Sequence, residues 1–180
     1  PSKLHPMNWH MEIEAHLARQ DIGYTVLRPS AFMDVLLNAG PAIAAGIWGG
    51  AARDGKTNFI DTRDVSAVAQ KILESDFDAS TQRAYHLTGP KRWSMSEIAI
   101  ELAQLLERDV TYEHRNPEKQ RAGLLAAGLN AFFADLLVGL DRAFQDSTQQ
   151  EITSTVREIT GQPPRNLSDW LRENLSVFQT

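Results

Sequence analysis

The stretch Gly23-Tyr24-Thr25-Val26-Leu27-Arg28-Pro29-Ser30-Ala31-Phe32-Met33 reads as a strand that runs directly into a loop of the kind that touches ligands. Tyr24 to Arg28 has the length and composition of a central strand in a parallel sheet, and Gly23 is a plausible stop for a preceding helix. Pro29 ends the ladder because it has no N–H to donate. Ligands of doubly wound α/β sheets sit just beyond the carboxyl ends of such strands, which places Pro29, Ser30, Ala31, Phe32 and Met33 where a ligand would be contacted. The same residues also suit a plain strand-to-helix turn with Phe32 in the core. No glycine-rich phosphate loop, the usual opening of such a fold, occurs in the 180 residues.

Working outward, 180 residues of 42% apolar composition can bury the core of one domain with a small appended lobe. A net charge of -5 argues against a phosphate-neutralising surface, so nucleic acid is not an expected partner. With no cysteine there is no disulfide framework, thiolate nucleophile or cysteine-ligated zinc, which suits a cytoplasmic protein. No apolar run approaches the roughly 18 to 20 residues that cross a bilayer, and Pro1 to Pro6 lacks the apolar core of a signal peptide. A first residue of Pro rather than Met suggests a processed product or a piece of a longer chain.

Helical spacing over Met7 to Gln20, with Ile13 and Leu17 four apart, predicts a helix that feeds the strand at Tyr24. Ala31 to Ala39 reads as a short helix interrupted by Gly40-Pro41. The glycines between Gly46 and Gly55 predict a flexible hairpin that returns through Thr57 to Ile60. Val65 to Glu74 follows as an amphipathic helix, Arg83 to Thr88 as a strand, and Ser94-Met95-Ser96-Glu97 as a capping box that opens another helix. A short strand is expected over Asp109 to His114. Beyond Asn116 the pattern is helical, with starts at Asn116-Pro117 and Asn130, a third helix over about Thr148 to Thr160, and a last one around Trp170.

Four segments occur in order: Trp9-His10-x-x-x-Glu14, Tyr24 to Met33, Phe59-Ile60-Asp61-Thr62-Arg63-Asp64-Val65, and Tyr85-His86-Leu87-Thr88-Gly89-Pro90. With Thr160-Gly161-Gln162-Pro163-Pro164-Arg165 they resemble the NmrA-like family of atypical short-chain dehydrogenases. The resemblance covers nearly the whole chain but only the C-terminal part of the family's usual length. It implies an α/β fold: the C-terminal part of a doubly wound, Rossmann-type parallel sheet with a small, mainly helical substrate lobe. Residues 1–90 would form the second half of the NAD(P)-binding domain and 91–180 the substrate lobe. The implied cofactor is NADP or NAD, and the implied activity is reduction of a small carbonyl or quinone-like substrate. A non-catalytic redox sensor or protein-docking regulator is the alternative, kept open by the lack of a Tyr-x-x-x-Lys pair. The family's G-x-x-G-x-x-G turn is missing. A strand such as Tyr24 to Arg28 needs neighbours, so the chain is expected to self-associate into a homo-oligomer or to require an N-terminal segment.

By the same resemblance Pro29 to Met33 would pass beside the nicotinamide. His10 would take the place of a helix lysine that holds the nicotinamide ribose, with Glu14 orienting its imidazole. A plain surface pair of His10 and Glu14 explains the same spacing. Two such ligands without a third make no metal site. Asp61 and Asp64 stand before an apolar-periodic helix, which favours capping by Asp64 over acid–base chemistry, with Arg63 bridging to a carboxylate. Arg28 could reach an anion or form an ion pair at a sheet edge. Trp48, Trp93 and Trp170 read as packing residues. Phe132, Phe133 and Phe144 read as core or as pocket lining.

Overall fold

A computed structural model of the chain describes residues 5–75, 81–146 and 151–179. Helix α1 (His5–Leu17) leads through Gly23 into β1 (Tyr24–Pro29), and β2 (Ala31–Phe32) follows after a single residue. A 3-10 segment (Met33–Ala39) runs into α2 (Gly40–Ala44), then β3 (Gly49–Gly50), β4 (Lys56–Ile60), α3 (Thr62–Glu74) and β5 (Gln82–Leu87). The remainder comprises β6 (Arg92–Ser94), α4 (Met95–Leu106), β7 (Glu113–His114), α5 (Pro117–Ala126), α6 (Ala131–Gln145), α7 (Thr155–Thr160), α8 (Leu167–Glu173) and a closing 3-10 turn at Leu175–Phe178. The class is α/β with parallel strand pairing, as the sequence predicts.

The opening stretch serves two sheets. β1 pairs in parallel with β5, from Tyr24 opposite Gln82 to Pro29 opposite Leu87. β2 leaves that pair and lies parallel to β4, with Ala31 opposite Phe59, while β6 joins β4 antiparallel. Ser30 is the switch residue, and its N–H still donates to the Leu87 carbonyl at 2.9 Å. Gly89, just after β5, lies against β4 so closely that a Cβ would stand 1.9 Å from the Phe59 carbonyl oxygen. β1 is half-buried over Tyr24 to Leu27 rather than fully buried, since among the described residues β5 is its one strand neighbour.

Two apolar clusters flank this junction. The larger gathers Met33, Leu36, Phe59, Trp93, Ile98, Leu102, Leu171 and Phe178, so residues from both halves of the chain share one core. Ile60, Val68, Leu87 and Val156 form the smaller one between α3, α7 and the β1–β5 pair. Trp48, Trp93 and Trp170 are all buried packing residues. Phe144 is core as well, but Phe132 and Phe133 are 51% and 53% exposed and stack edge-on at 5.5 Å. The capping box at Ser94 and Glu97 forms, and Asn116 and Asn130 cap α5 and α6.

Several expectations change. The expected helix over Ala31 to Ala39 is a two-residue strand followed by a 3-10 segment, and Gly40-Pro41 begins α2 rather than interrupting a helix, because Pro41 sits in the first turn where no N–H is needed. The glycine tract is no free hairpin: β3 pairs with β7, and a Cβ at Gly49, Gly50 or Gly55 would collide with Glu113, Tyr112 or Phe144. These glycines allow close packing rather than flexibility. β7 is confined to Glu113–His114, and α7 begins at Thr155. The expected start of that helix at Thr148 lies outside the described residues.

The tract is held from α6. Asp141 accepts the Ala51 N–H at 2.8 Å, and the Tyr112 hydroxyl takes the next one, from Ala52. Burial pushes the Asp141 carboxyl above the usual carboxylate range. The Tyr112 phenol is pushed up by burial and by the nearby Asp141 charge.

Two outcomes follow. Gly89→Ala should lower unfolding free energy by about 2 kcal/mol or more, measured by denaturant melts, because it forces β4 and β5 apart. Asp141 binds its proton more tightly folded than unfolded, so its contribution is greatest below the unfolded pKa and is lost as pH rises through the raised folded one. Asp141→Asn, which keeps an acceptor for Ala51, should therefore be more stable than the wild type at pH 7.5, with the margin closing toward pH 4 in paired thermal melts.

Candidate functional site

Pro29 to Met33 lie at the carboxyl ends of β1 and β5, where the chain crosses between sheets. Pro29 does not end the ladder as expected: it pairs with Leu87, its nitrogen lies on the side away from β5, the Ser30 N–H still bonds Leu87, and pairing with β4 begins at Ala31. The Ser30 hydroxyl oxygen is buried there with no hydrogen-bond partner. Such an orphan is uncommon in a folded protein and is accounted for when a ligand, ion or water completes it. Met33 is fully buried and Ala31 packs against the larger core, whereas Phe32 turns outward at 42% exposure. The segment is therefore split into two anchoring side chains, one orphaned hydroxyl and one exposed ring.

Glu14 and His10 sit on α1 as their spacing requires, but Glu14 does not hold the imidazole. Its carboxylate is gripped by Arg28, whose Nε lies 3.1 and 3.0 Å from the two oxygens and whose Nη2 closes the fork. That hydrogen bonding, supported by the Arg28 charge, holds the Glu14 carboxyl below its usual range although burial works against it. His10 is exposed and contributes only its charge to Glu14. Arg28 Nη1 also lies 3.2 Å from Nε2 of His86, its direct cross-strand partner. Beside this cluster a groove of roughly 490 Å³ runs between α1 and the β1–β5 face, past Met11, Ala15, Ala18, Tyr24 and Ala84.

Asp61 and Asp64 are both buried and both occupied. Asp61, not Asp64, caps α3: it accepts the Arg63 N–H at 2.8 Å. Burial works to raise its pKa, but the Arg63 guanidinium and that backbone bond outweigh it and keep the carboxyl below the usual range. Arg63 continues to Glu173 on α8 at 2.7 Å. Asp64 accepts the Arg165 N–H at 2.8 Å and pairs with its guanidinium. The two carboxylates thus pin the C-terminal segment onto α3 and are not free for acid–base work. Among the described residues no group of three or more His, Asp or Glu is placed to hold a metal ion, and no helix is long and apolar enough to cross a membrane.

Sequence reasoning did not find His86 or Arg165. Each meets its partner across 58 and 101 residues of chain, a distance that no local spacing reports. The alternation in β1 and β5 places Arg28 and His86 on one face, but only the strand register shows that they meet.

No protein-family model matches the chain. An uncharacterized oxidoreductase of Bacillus subtilis, YesF, is 31% identical over 150 residues, covering 82% of this chain and 52% of its own length. Quinone oxidoreductase 2 of Escherichia coli is 28% identical over 161 residues, covering 89% of this chain and 56% of its own. The crystal structure of that protein with NADPH superposes with a TM-score of 0.88 at 26% identity, over 97% of this chain and 61% of that one. NmrA, a negative transcriptional regulator solved with NAD, shares the fold at a TM-score of 0.66 and 13% identity, over 94% of this chain and 57% of its own. The chain spans about half the length of the curated relatives it matches.

Arg165→Ala should destabilise the fold by about 2 kcal/mol, between the values for exposed and for buried ion pairs, since Arg165 is half-exposed and Asp64 is not. Asp64→Asn, which keeps an acceptor for the Arg165 N–H, should be milder. Calorimetric melts of the two variants compare them directly, and a neutral Arg165→Ala would show that the backbone bond alone holds the segment.

Proposed function

The chain is an NmrA-like member of the atypical short-chain dehydrogenases, and on that premise we propose that it forms the nicotinamide side of an NAD(P)H-dependent reductase. The observation that carries this reading is the orphaned Ser30 hydroxyl at the point where β1 leaves β5 for β4. Strand-order switches at the carboxyl ends of parallel strands are where dinucleotides lie. The residues present fit a nicotinamide: Ser30 can donate to its carboxamide and the exposed Phe32 can lie against a planar ring. Bound NAD(P)H would supply the hydride. The chain's own part is to bind, orient and shield. No G-x-x-G-x-x-G turn occurs in the 180 residues, so no residue here is assigned to the pyrophosphate.

In this reading residues 1–90 carry the cofactor-facing part and 91–180 the cover over a small carbonyl or quinone-like acceptor. The exposed Phe132 and Phe133 on α6 supply aromatic surface for such an acceptor. His10, exposed on α1, can meet the ribose or the acceptor but has no fixed orientation.

The test is titration of the folded chain with NADPH, NADH and reduced nicotinamide mononucleotide, read by calorimetry and by amide shifts. Binding should move the Ser30 to Met33 amides. Ser30→Ala removes an unsatisfied hydroxyl, so it should leave stability unchanged or raise it by about 1 kcal/mol while weakening binding several-fold. A folded chain that binds none of the three ligands would sink the proposal. Turnover of NADPH with a quinone or aldehyde panel separates a reductase from a sensor that binds without reaction.

A further inference from the structure

Arg28 and His86 face each other across the β1–β5 ladder immediately before the turn that holds Ser30. The chemistry of this contact is one-sided. A guanidinium has donors only, so the His86 Nε2 that lies 3.2 Å from Arg28 Nη1 must present its lone pair. The neutral ring then carries its proton on Nδ1. The other side of Arg28 is locked into the Glu14 carboxylate by its Nε and Nη2. Glu14 belongs to α1, Arg28 to β1 and His86 to β5, so the three side chains tie three elements together one residue ahead of Pro29 and Leu87. Leu87 in turn accepts the Ser30 N–H, and the His86 carbonyl accepts the Thr153 hydroxyl at 2.8 Å.

We propose that Glu14, Arg28 and His86 are positioning residues that hold the Pro29 to Met33 turn, and that protonation of His86 releases this hold. The regulatory part rests on the nicotinamide-side reading of that turn. A proton on Nε2 would set two cations face to face and remove the only acceptor that His86 offers Arg28. Histidine is the side chain whose unperturbed charge change falls between pH 5 and 8, which sets the range to be scanned. The charged groups that bear on His86 are few. From α1 come Glu14 and, beside it, His10; from β1 comes Arg28. α7, also packed on β5, carries Arg157 and Glu158, and Glu158 is engaged by the Ser154 hydroxyl. Both Arg28 and His86 bear on the Glu14 carboxylate, which would be shared between them once His86 is charged.

The decisive measurement is a titration of the Ser30, Ala31 and Met33 amide shifts of the folded, full chain between pH 8 and pH 5.5. It needs no bound nucleotide. These amides should move together with the His86 ring signals. His86→Gln offers a carbonyl acceptor to Arg28 without titrating, so it should abolish the movement and keep the high-pH positions. His86→Lys should fix the low-pH positions at every pH, and His10→Gln should leave the titration in place. Amides that stay still in the wild type, or that still titrate in His86→Gln, overturn the proposal. So does a titration that disappears in His10→Gln. Where reduced nicotinamide mononucleotide binds, its affinity should fall about threefold or more from pH 8 to pH 5.5 in the wild type and stay level in His86→Gln. Failure to bind at any pH removes the nicotinamide reading alone, because the amide titration still decides the relay.

Discussion

Everything in this fold depends on one strand changing partners. From Tyr24 to Pro29 the strand pairs with β5, and from Ala31 to Phe32 with β4. The change falls just past Pro29, once the Ser30 N–H has made its bond to the Leu87 carbonyl of β5. The two partners must also approach each other without a side chain between them. Gly89 provides that approach, its α-carbon set directly against the Phe59 carbonyl. The consequence is a switch point at the carboxyl ends of β1 and β5 where two sheets meet, and Ser30 stands at it.

Rigidity around the switch point comes from charge gripped at both ends. The buried carboxylates of Asp61 and Asp64 begin α3 and bind Arg63 and Arg165, which draws α8 and the turn after α7 onto the same end of β4. Buried carboxylates are unfavourable unless paired and hydrogen-bonded, and both are. On the opposite face of β1, Glu14 and Arg28 make a fork that is half-exposed, so it contributes little to stability. Its value lies in direction, since a bidentate pair fixes orientation as well as distance.

Much of this was legible in the sequence because it is local. The strand at Tyr24, the Ser94 box and the asparagine caps at Asn116 and Asn130 follow from residue type and neighbours within four positions. What escaped is long-range. Asp61 and Asp64 both look like caps, and only the return of Arg165 shows that Asp64 has another partner. Glycines 49, 50 and 55 carry a turn signal, yet their neighbours Glu113, Tyr112 and Phe144 arrive from far along the chain. Helical periodicity placed Phe132 and Phe133 in phase with core residues, but in the first turn of α6 it is Ala134 that is buried while both rings are exposed.

The buried Ser30 hydroxyl is a local disadvantage. An unsatisfied buried hydroxyl costs about 1–3 kcal/mol, a large part of the margin by which a domain is folded. Alanine at this position would fill the same turn without that penalty, because the backbone bond to Leu87 does not involve the side chain. Neighbouring polar groups at the same end of the sheet are satisfied: Thr88 binds Thr153, and Asp61 binds Arg63. The Ser30 hydroxyl differs from these two neighbours in having no partner. A hydroxyl held there without a partner is a group awaiting one, and the exposed ring of Phe32 two residues on gives that partner a flat apolar surface to lie against.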